Sequence, residues 1–371
     1  MKNYNWGILG AGSIAWEFTK GLKLVPRSNT YSVYSRTYEK ALKFSDLLGF
    51  EKTSMTFEAF LDDPDLDIVY IATPNNLHYE HAIQCLEAGK HVLIEKPIAL
   101  CAWQAQEIEK TANENQCLCM EAMWSRFMPL YLEIKNLLQE NVIGEIKYFS
   151  ASFGEAMMYE PKTRIYNLKA GGGCLLDLGV YPISLALMLL GEPESVSGSC
   201  RKSESGVDTL DSFSLHYKNG AIADLQCSFD CKLPNNTWIS GTNGSIDIPN
   251  PIYRPNRYRI SKYHPYKIQS NPGYGTRDKL HEISFFSNML HAIGNYMADP
   301  FRKFKQTKWV NFTANGYQYE ALEFMKNLDR GELQSDIMPL SDSIAVLKIT
   351  DQLRRDWGID YPETKNKTEH L

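Results

Sequence analysis

Apolar positions in the first 120 residues fall into short, nearly continuous runs. These are Trp6-Gly7-Ile8-Leu9, Tyr31-Ser32-Val33-Tyr34, Ile68-Val69-Tyr70-Ile71-Ala72, His91-Val92-Leu93-Ile94 and Cys117–Met120. Runs of four to five such residues bounded by turn signals predict buried strands. Between them the apolar spacing is helical: Ile14, Phe18, Leu22; Ala41, Phe44, Leu47, Leu48; Phe57–Leu61; His78–Leu86; and roughly 103–113. Strands buried on both faces and alternating with helices predict a doubly wound parallel sheet. In such a sheet ligands bind beyond the carboxyl ends of the strands. Gly10, Arg36, Thr73 and Lys96 then share one edge.

Beyond residue 123 the period changes. Trp124–Leu138 reads as a helix and Ile146–Phe153 as a strand that alternates faces. Gly171-Gly172-Gly173 precedes an apolar helical run, Pro182–Leu190. Asp177 and Tyr181 are four residues apart, so a helix puts them on one face. Pro182 cannot donate a backbone hydrogen bond, so this helix is expected to be irregular near the pair or to start at the proline. Two hairpins follow, turning at Asn219-Gly220 and Asn243-Gly244 between alternating strands. Residues 250–277 read as a long loop. Helices are expected at His281–Met297, Phe312–Leu328 and Asp342–Trp357. The reading is therefore α/β: a Rossmann-type unit at 1–123, an α/β unit with an open, largely antiparallel sheet at 124–358, and a polar tail at 359–371. An open sheet leaves one face for an interface, and a homodimer or homotetramer through it is expected.

The chemistry concentrates on the shared edge. Gly10-Ala11-Gly12-Ser13-Ile14-Ala15 is a G-x-G-x-x-A turn between a strand and a helix. Its glycines permit the turn and the close approach of a pyrophosphate, and the helix amides face the phosphates. The second strand ends at Ser35-Arg36 with no acidic residue. A carboxylate there would suit the ribose hydroxyl of NAD, whereas a serine and a guanidinium suit a 2′-phosphate. NADP is accordingly favoured over NAD. Thr73-Pro74-Asn75-Asn76 and Glu95-Lys96-Pro97 end the next two strands. With a net charge of −5, 39 basic against 44 acidic residues give no general support to nucleic acid as a partner. No apolar run reads as a membrane span, and the chain shows no signal-peptide pattern, so a cytoplasmic location is expected. Eight scattered cysteines contain no Cys-x-x-Cys and read as small core residues. His78-x-x-His81 lacks a third ligand, and no metal is expected.

The glycine turn, Thr73-Pro74-Asn75, His78, Glu95-Lys96-Pro97, Gly171–Gly173, Asp177 and Gly179-x-Tyr181 together resemble the glucose–fructose oxidoreductase and inositol dehydrogenase family, in the family's order over roughly residues 5–358. Within it the chain looks most similar to the dimeric dihydrodiol dehydrogenases and NADP-dependent D-xylose dehydrogenases. It shares their segment Glu121–Pro129, and Tyr181 stands where inositol dehydrogenases carry histidine. The resemblance implies hydride transfer between a nicotinamide cofactor and a small sugar or diol. It implies Lys96, Asp177 and Tyr181 as the catalytic trio, with either Tyr181 or Lys96 exchanging the proton. Gly10, Gly12, Ser13, Ile14, Ser35, Arg36, Thr73, Pro74, Asn75, Asn76, His78, Glu95 and Lys96 become candidate cofactor contacts. Trp124, Arg126 and Phe153 become candidate substrate contacts. A non-catalytic cofactor-binding regulator on the same fold is the rival reading, and the intact trio argues against it.

Overall fold

The computed structural model describes residues 2–263 and 307–361. Its first unit runs β1 (Tyr4–Leu9), α1 (Ser13–Leu22), β2 (Ser28–Tyr34), α2 (Tyr38–Leu48), β3 (Lys52–Thr53), α3 (Phe57–Leu61), β4 (Ile68–Ile71), α4 (His78–Glu87), β5 (His91–Glu95), α5 (Ala102–Glu114) and β6 (Cys119–Ala122). The strands form one parallel sheet in the order β3-β2-β1-β4-β5-β6. β4 is wholly buried, as is β5 apart from His91. This explains why their sequences are continuous rather than alternating. The order reverses between β1 and β4, which opens a crevice above their carboxyl ends.

The second unit contains α6 (Pro129–Gln139), β7 (Ile146–Gly154), α7 (Val180–Leu190), β8 (Ser195–Lys202), β9 (Asp208–His216), β10 (Ile222–Ser228), β11 (Thr237–Gly241), β12 (Gly244–Ile248), β13 (Arg257–Lys262) and β14 (Thr307–Trp309). Its eight strands lie in the order β14-β13-β12-β11-β7-β10-β9-β8. Among its described strands only β7 and β10 pair in parallel. Both hairpins form as expected: Ile222 pairs with His216, and Thr237 with Ile248. Among the described residues the last helices are α8 (Gln318–Arg330) and α9 (Leu340–Trp357).

Several boundaries differ from the sequence reading. The expected helix 124–138 is broken. A 3₁₀ turn covers Trp124–Phe127, Met128 is extended at ψ 131°, and Pro129 opens α6. A residue before proline is pushed out of the helical region, and proline suits the first helical position. The expected loop contains strand β13, and its remainder beyond residue 263 lies outside the described residues, as does the expected helix His281–Met297. The helix expected from Phe312 begins at Gln318, after Gly316 turns the chain at φ 102°. The chain does not leave the core at 359. Ile359 and Tyr361 are buried, and the Tyr361 hydroxyl donates to Gly172 O at 2.6 Å. The stretch Leu168–Leu190 is long and apolar enough to cross a bilayer, but 83% of its most apolar window is buried here. Packed this way, its helical part, the π turn and α7, belongs to the core.

α8 returns to the first unit. Phe324 packs on Trp6 with ring centroids 5.6 Å apart, and Arg27 pairs with Asp329 at 2.6 Å. α9 packs against α5 and α7 and so touches both units. Asp351 accepts from Ala102 N at 2.9 Å, and Arg354 donates to Leu100 O at 2.8 Å.

Candidate active site

A cleft of 660 Å³ lies above the crevice between β1 and β4. Gly10, Gly12, Ser13, Ile14, Ser35, Arg36, Thr73, Pro74, Asn75, His78, Glu95, Lys96, Asp177 and Tyr181 all line it. Four strand ends, the start of α1 and one distant helical turn are thereby brought together. Asn76 sits in the short turn before α4 and is not among the lining residues.

The cradle fits a dinucleotide. Gly10 holds φ 109°, and a Cβ there would stand 2.7 Å from Ala72 O, so only glycine lets β1 and β4 come this close. At Gly12 a Cβ would meet nothing within 4 Å, which leaves open space over the backbone. Gly12 is the N-cap of α1, and no side chain caps its first amides, so these face the cleft as donors for an anion. At the β2 end Arg36 and Lys40 line the cleft. Its three carboxylates, Glu17, Glu95 and Asp177, all lie elsewhere in the chain.

His78 is an internal strut. Its ring nitrogens lie 2.8 Å from Pro97 O and 2.8 Å from Thr73 O. It thus ties the end of β4 to the turn after Lys96. Burial pulls its pKa down to about 4 against the two carbonyls. His81 instead meets Thr73 Oγ1 at 3.1 Å. The two histidines do not converge on one point.

Lys96 follows β5. Its ammonium donates to Asp177 O at 2.6 Å and to Asp177 Oδ1 at 3.1 Å. The same ammonium lies 5.1 Å from the ring centroid of Tyr181. Asp177 sits in a π-helical turn, Leu175–Gly179, that runs directly into α7. That irregular turn is the device expected near Pro182. Burial pushes the Asp177 carboxyl up, but Lys96 and Arg164 outweigh it and hold the group below the usual carboxylate range. Burial, and then Glu95, push the Tyr181 phenol well above its usual value, while the Trp124 indole opposes them. Glu95 is buried in the cleft wall and hydrogen-bonded by Tyr70. Burial raises its pKa to about 7.

The three candidate substrate contacts lie elsewhere. Arg126 does not reach the cleft. It is fully buried, donates from Nε to Ser184 Oγ at 2.7 Å and from Nη2 to Ser184 O at 2.6 Å, and pairs with Asp342 at 2.5 Å. It ties the Trp124 turn to α7 and α9. Phe153 packs edge-on against Tyr181, with centroids 5.3 Å apart. Trp124 donates from its indole nitrogen to the Tyr181 hydroxyl at 3.1 Å. Both rings are buried behind Tyr181 rather than in the lining. Arg164 was invisible to pattern reading. It lies in irregular chain between β7 and the glycine triplet, lines the cleft, and stands 3.6 Å from Asp177.

A glycine-turn dinucleotide cradle facing a half-buried lysine and aspartate and a buried tyrosine defines an oxidoreductase of the Rossmann class. The chain belongs to the Gfo/Idh/MocA oxidoreductase family and is a dehydrogenase or reductase. Residues 4–123 match the oxidoreductase family's NAD-binding Rossmann fold, and residues 131–247 match the GFO/IDH/MocA C-terminal domain. The chain is 33% identical to a trans-1,2-dihydrobenzene-1,2-diol dehydrogenase of Xenopus tropicalis, over 96% of this chain and 99% of the relative. It is 28% identical to the Homo sapiens protein of that name, over 97% and 98%. In fold it is similar to a 3-ketoreductase from Actinomadura kijaniata in complex with NADP and TDP-benzene, with TM-score 0.76, 24% identity and coverage of 95% and 98%. It is also similar in fold to levoglucosan dehydrogenase in complex with NADH, with TM-score 0.77, 22% identity and coverage of 97% and 100%.

Proposed function

We propose that the protein is an NADP-dependent dehydrogenase acting on a secondary alcohol of a vicinal diol or sugar, or reducing the matching carbonyl. The observation that carries this reading is the convergence of Lys96, Asp177 and Tyr181 at the end of a cleft whose other end is the glycine turn. The full-length likeness to trans-dihydrodiol dehydrogenases supports a small diol as substrate. Ser35, Arg36 and Lys40 line the cleft while Glu39, the carboxylate on the same segment, does not, which supports NADP.

When bound, a nicotinamide supplies the hydride acceptor or donor. The chain's own residues handle the proton. Tyr181 exchanges it with the substrate oxygen. The Lys96 ammonium lies beside the phenol ring, so its charge favours the phenolate. Asp177 fixes Lys96 and stays ionised, so it can accept a hydrogen bond from a second hydroxyl. Such a pair of acceptors suits a substrate with two adjacent hydroxyls.

The outward face of the second sheet exposes Tyr148, Ile222 and Trp238; Ile222 lies directly opposite Tyr148. This apolar stripe supports a homodimer or homotetramer formed through that face. All eight cysteines are free thiols, which supports a reducing, cytoplasmic setting.

The test is reduction of NADP⁺, with NAD⁺ in parallel, across a trans-1,2-cyclic diol, D-xylose, D-glucose and myo-inositol. Turnover on a diol or sugar is expected, and Tyr181→Phe should lower it by about 10²-fold or more. Full activity in Tyr181→Phe would remove the tyrosine from the chemistry.

A further inference from the structure

Trp124 opens the 3₁₀ turn that follows β6, and its indole is 5% exposed. The ring is held on both sides. It stacks on Tyr317 with centroids 4.4 Å apart and tilts against Tyr253 at 5.7 Å. Gly316 makes room for it, since a Cβ there would come within 3.0 Å of the indole. This packing aims the indole N–H at the Tyr181 oxygen, 3.1 Å away.

An indole nitrogen can only donate. The Tyr181 oxygen must therefore accept, and its own proton is left to point elsewhere. Among the described residues no other hydrogen bond reaches that oxygen. The Lys96 ammonium sits beside the ring and spends its hydrogen bonds on Asp177. Carboxyl groups surround the phenol. Asp177 lies on the preceding turn, Glu95 at the end of β5, and Glu320 on α8, fully buried with neither oxygen hydrogen-bonded. Tyr317 flanks the same space from the start of α8; the cations near these groups are Lys96 and, 3.6 Å from Asp177, Arg164.

We propose that Trp124 is a positioning residue for the proton transfer: its indole N–H keeps the Tyr181 oxygen in the acceptor role, directs the phenol proton toward the substrate, and holds the phenolate when that proton has left. In the oxidative direction the alcohol O–H bond breaks and its proton moves to the Tyr181 oxygen, while the carbon's hydride passes to the oxidised nicotinamide. The inference rests on the reading of Tyr181 as the proton-exchanging group. It assigns Trp124 to the acid–base machinery instead of the substrate pocket.

Trp124→Phe keeps an aromatic ring for the stack and removes only the donor. Rates are measured against pH in both directions, with folding checked by thermal unfolding and cofactor binding by NADPH fluorescence. Loss of a hydrogen bond to a charged oxygen should raise the phenol's pKa by about one to two units. The acid limb of diol oxidation should move to higher pH by that amount. The rate near neutrality should fall about ten- to a hundredfold and recover at high pH. In carbonyl reduction the alkaline fall-off should move up by the same amount. A merely structural ring would lower both profiles by a constant factor, and that result, or unchanged profiles, overturns the proposal. Tyr317→Leu loosens the stack but keeps the indole N–H, and should leave both limbs in place. If Trp124→Phe does not fold, Trp124→His, which restores a ring donor, is measured instead. Its limbs must stay where the wild type has them, and displaced limbs overturn the proposal. An active Tyr181→Phe sinks the underlying reading. An inactive Tyr181→Phe with unmoved Trp124→Phe limbs sinks this inference alone.

Discussion

Replacing Arg126 by methionine separates a structural role from a substrate role at a position where the two readings conflict. The guanidinium is fully buried and makes four hydrogen bonds: to Ser184 Oγ at 2.7 Å, Ser184 O at 2.6 Å, Ile337 O at 3.2 Å and Asp342 at 2.5 Å. Methionine fills most of the volume but donates nothing. Each buried acceptor left unpaired costs about 1–3 kcal/mol, and breaking a buried ion pair costs about 3–5 kcal/mol. Asp342 is 33% exposed, so water can take over its share. The desolvation that lowers the arginine's own pKa is also relieved. These offsets place the loss near the low end, about 3 kcal/mol. Urea unfolding of the cofactor-free protein should register it as a lower midpoint with an unchanged slope. At a temperature where the variant stays folded, its KM for the diol should match the wild type. A loss under about 1 kcal/mol, or a raised KM with an unchanged unfolding curve, would refute the structural assignment.

Gly10→Ala should cost about 1–3 kcal/mol, because alanine at φ 109° is strained and its Cβ meets Ala72 O; NADPH titration should also show weakened binding. Arg36→Ala should weaken NADPH by about ten- to a hundredfold and leave NADH unchanged, read as Kd by fluorescence; equal loss of both cofactors would count against a 2′-phosphate contact. Glu95 predicts a pH dependence. Its folded pKa of about 7 stands above the ordinary 4.5, so the native state holds a proton that the unfolded chain sheds between these values. That contribution is complete below pH 4.5 and is lost as pH rises through 7, a swing of about 3 kcal/mol. Glu95→Gln cannot shed the proton, so its unfolding midpoint should fall less than the wild type's from pH 5 to 8; parallel curves would refute the assignment.

The parallel sheet and its binding edge were legible because each signal is local. A strand buried on both faces must be apolar throughout, and Gly10, Arg36, Thr73 and Lys96 follow their strands directly. The two hairpins were legible for the same reason, since Asn-Gly fixes both turn and register. Arg126, Trp124 and Arg164 were not. In sequence, Trp124 and Arg126 fall in one expected helix, 124–138, and both are candidate substrate contacts. Met128 and Pro129 break that helix. The arginine then turns to Ser184 and Asp342, 58 and 216 residues away, and the indole turns to Tyr181, 57 residues away. No local period encodes such separations. Tyr361 shows the same limit. Read as part of a polar tail, it is drawn into the core because Gly172 O, 189 residues distant, needs a donor. Sequence alone determined the strand ends, and with them where a dinucleotide can bind. Tertiary structure decided which polar groups face the cleft and which brace it, because a buried donor or acceptor must find its partner wherever the packed chain places one.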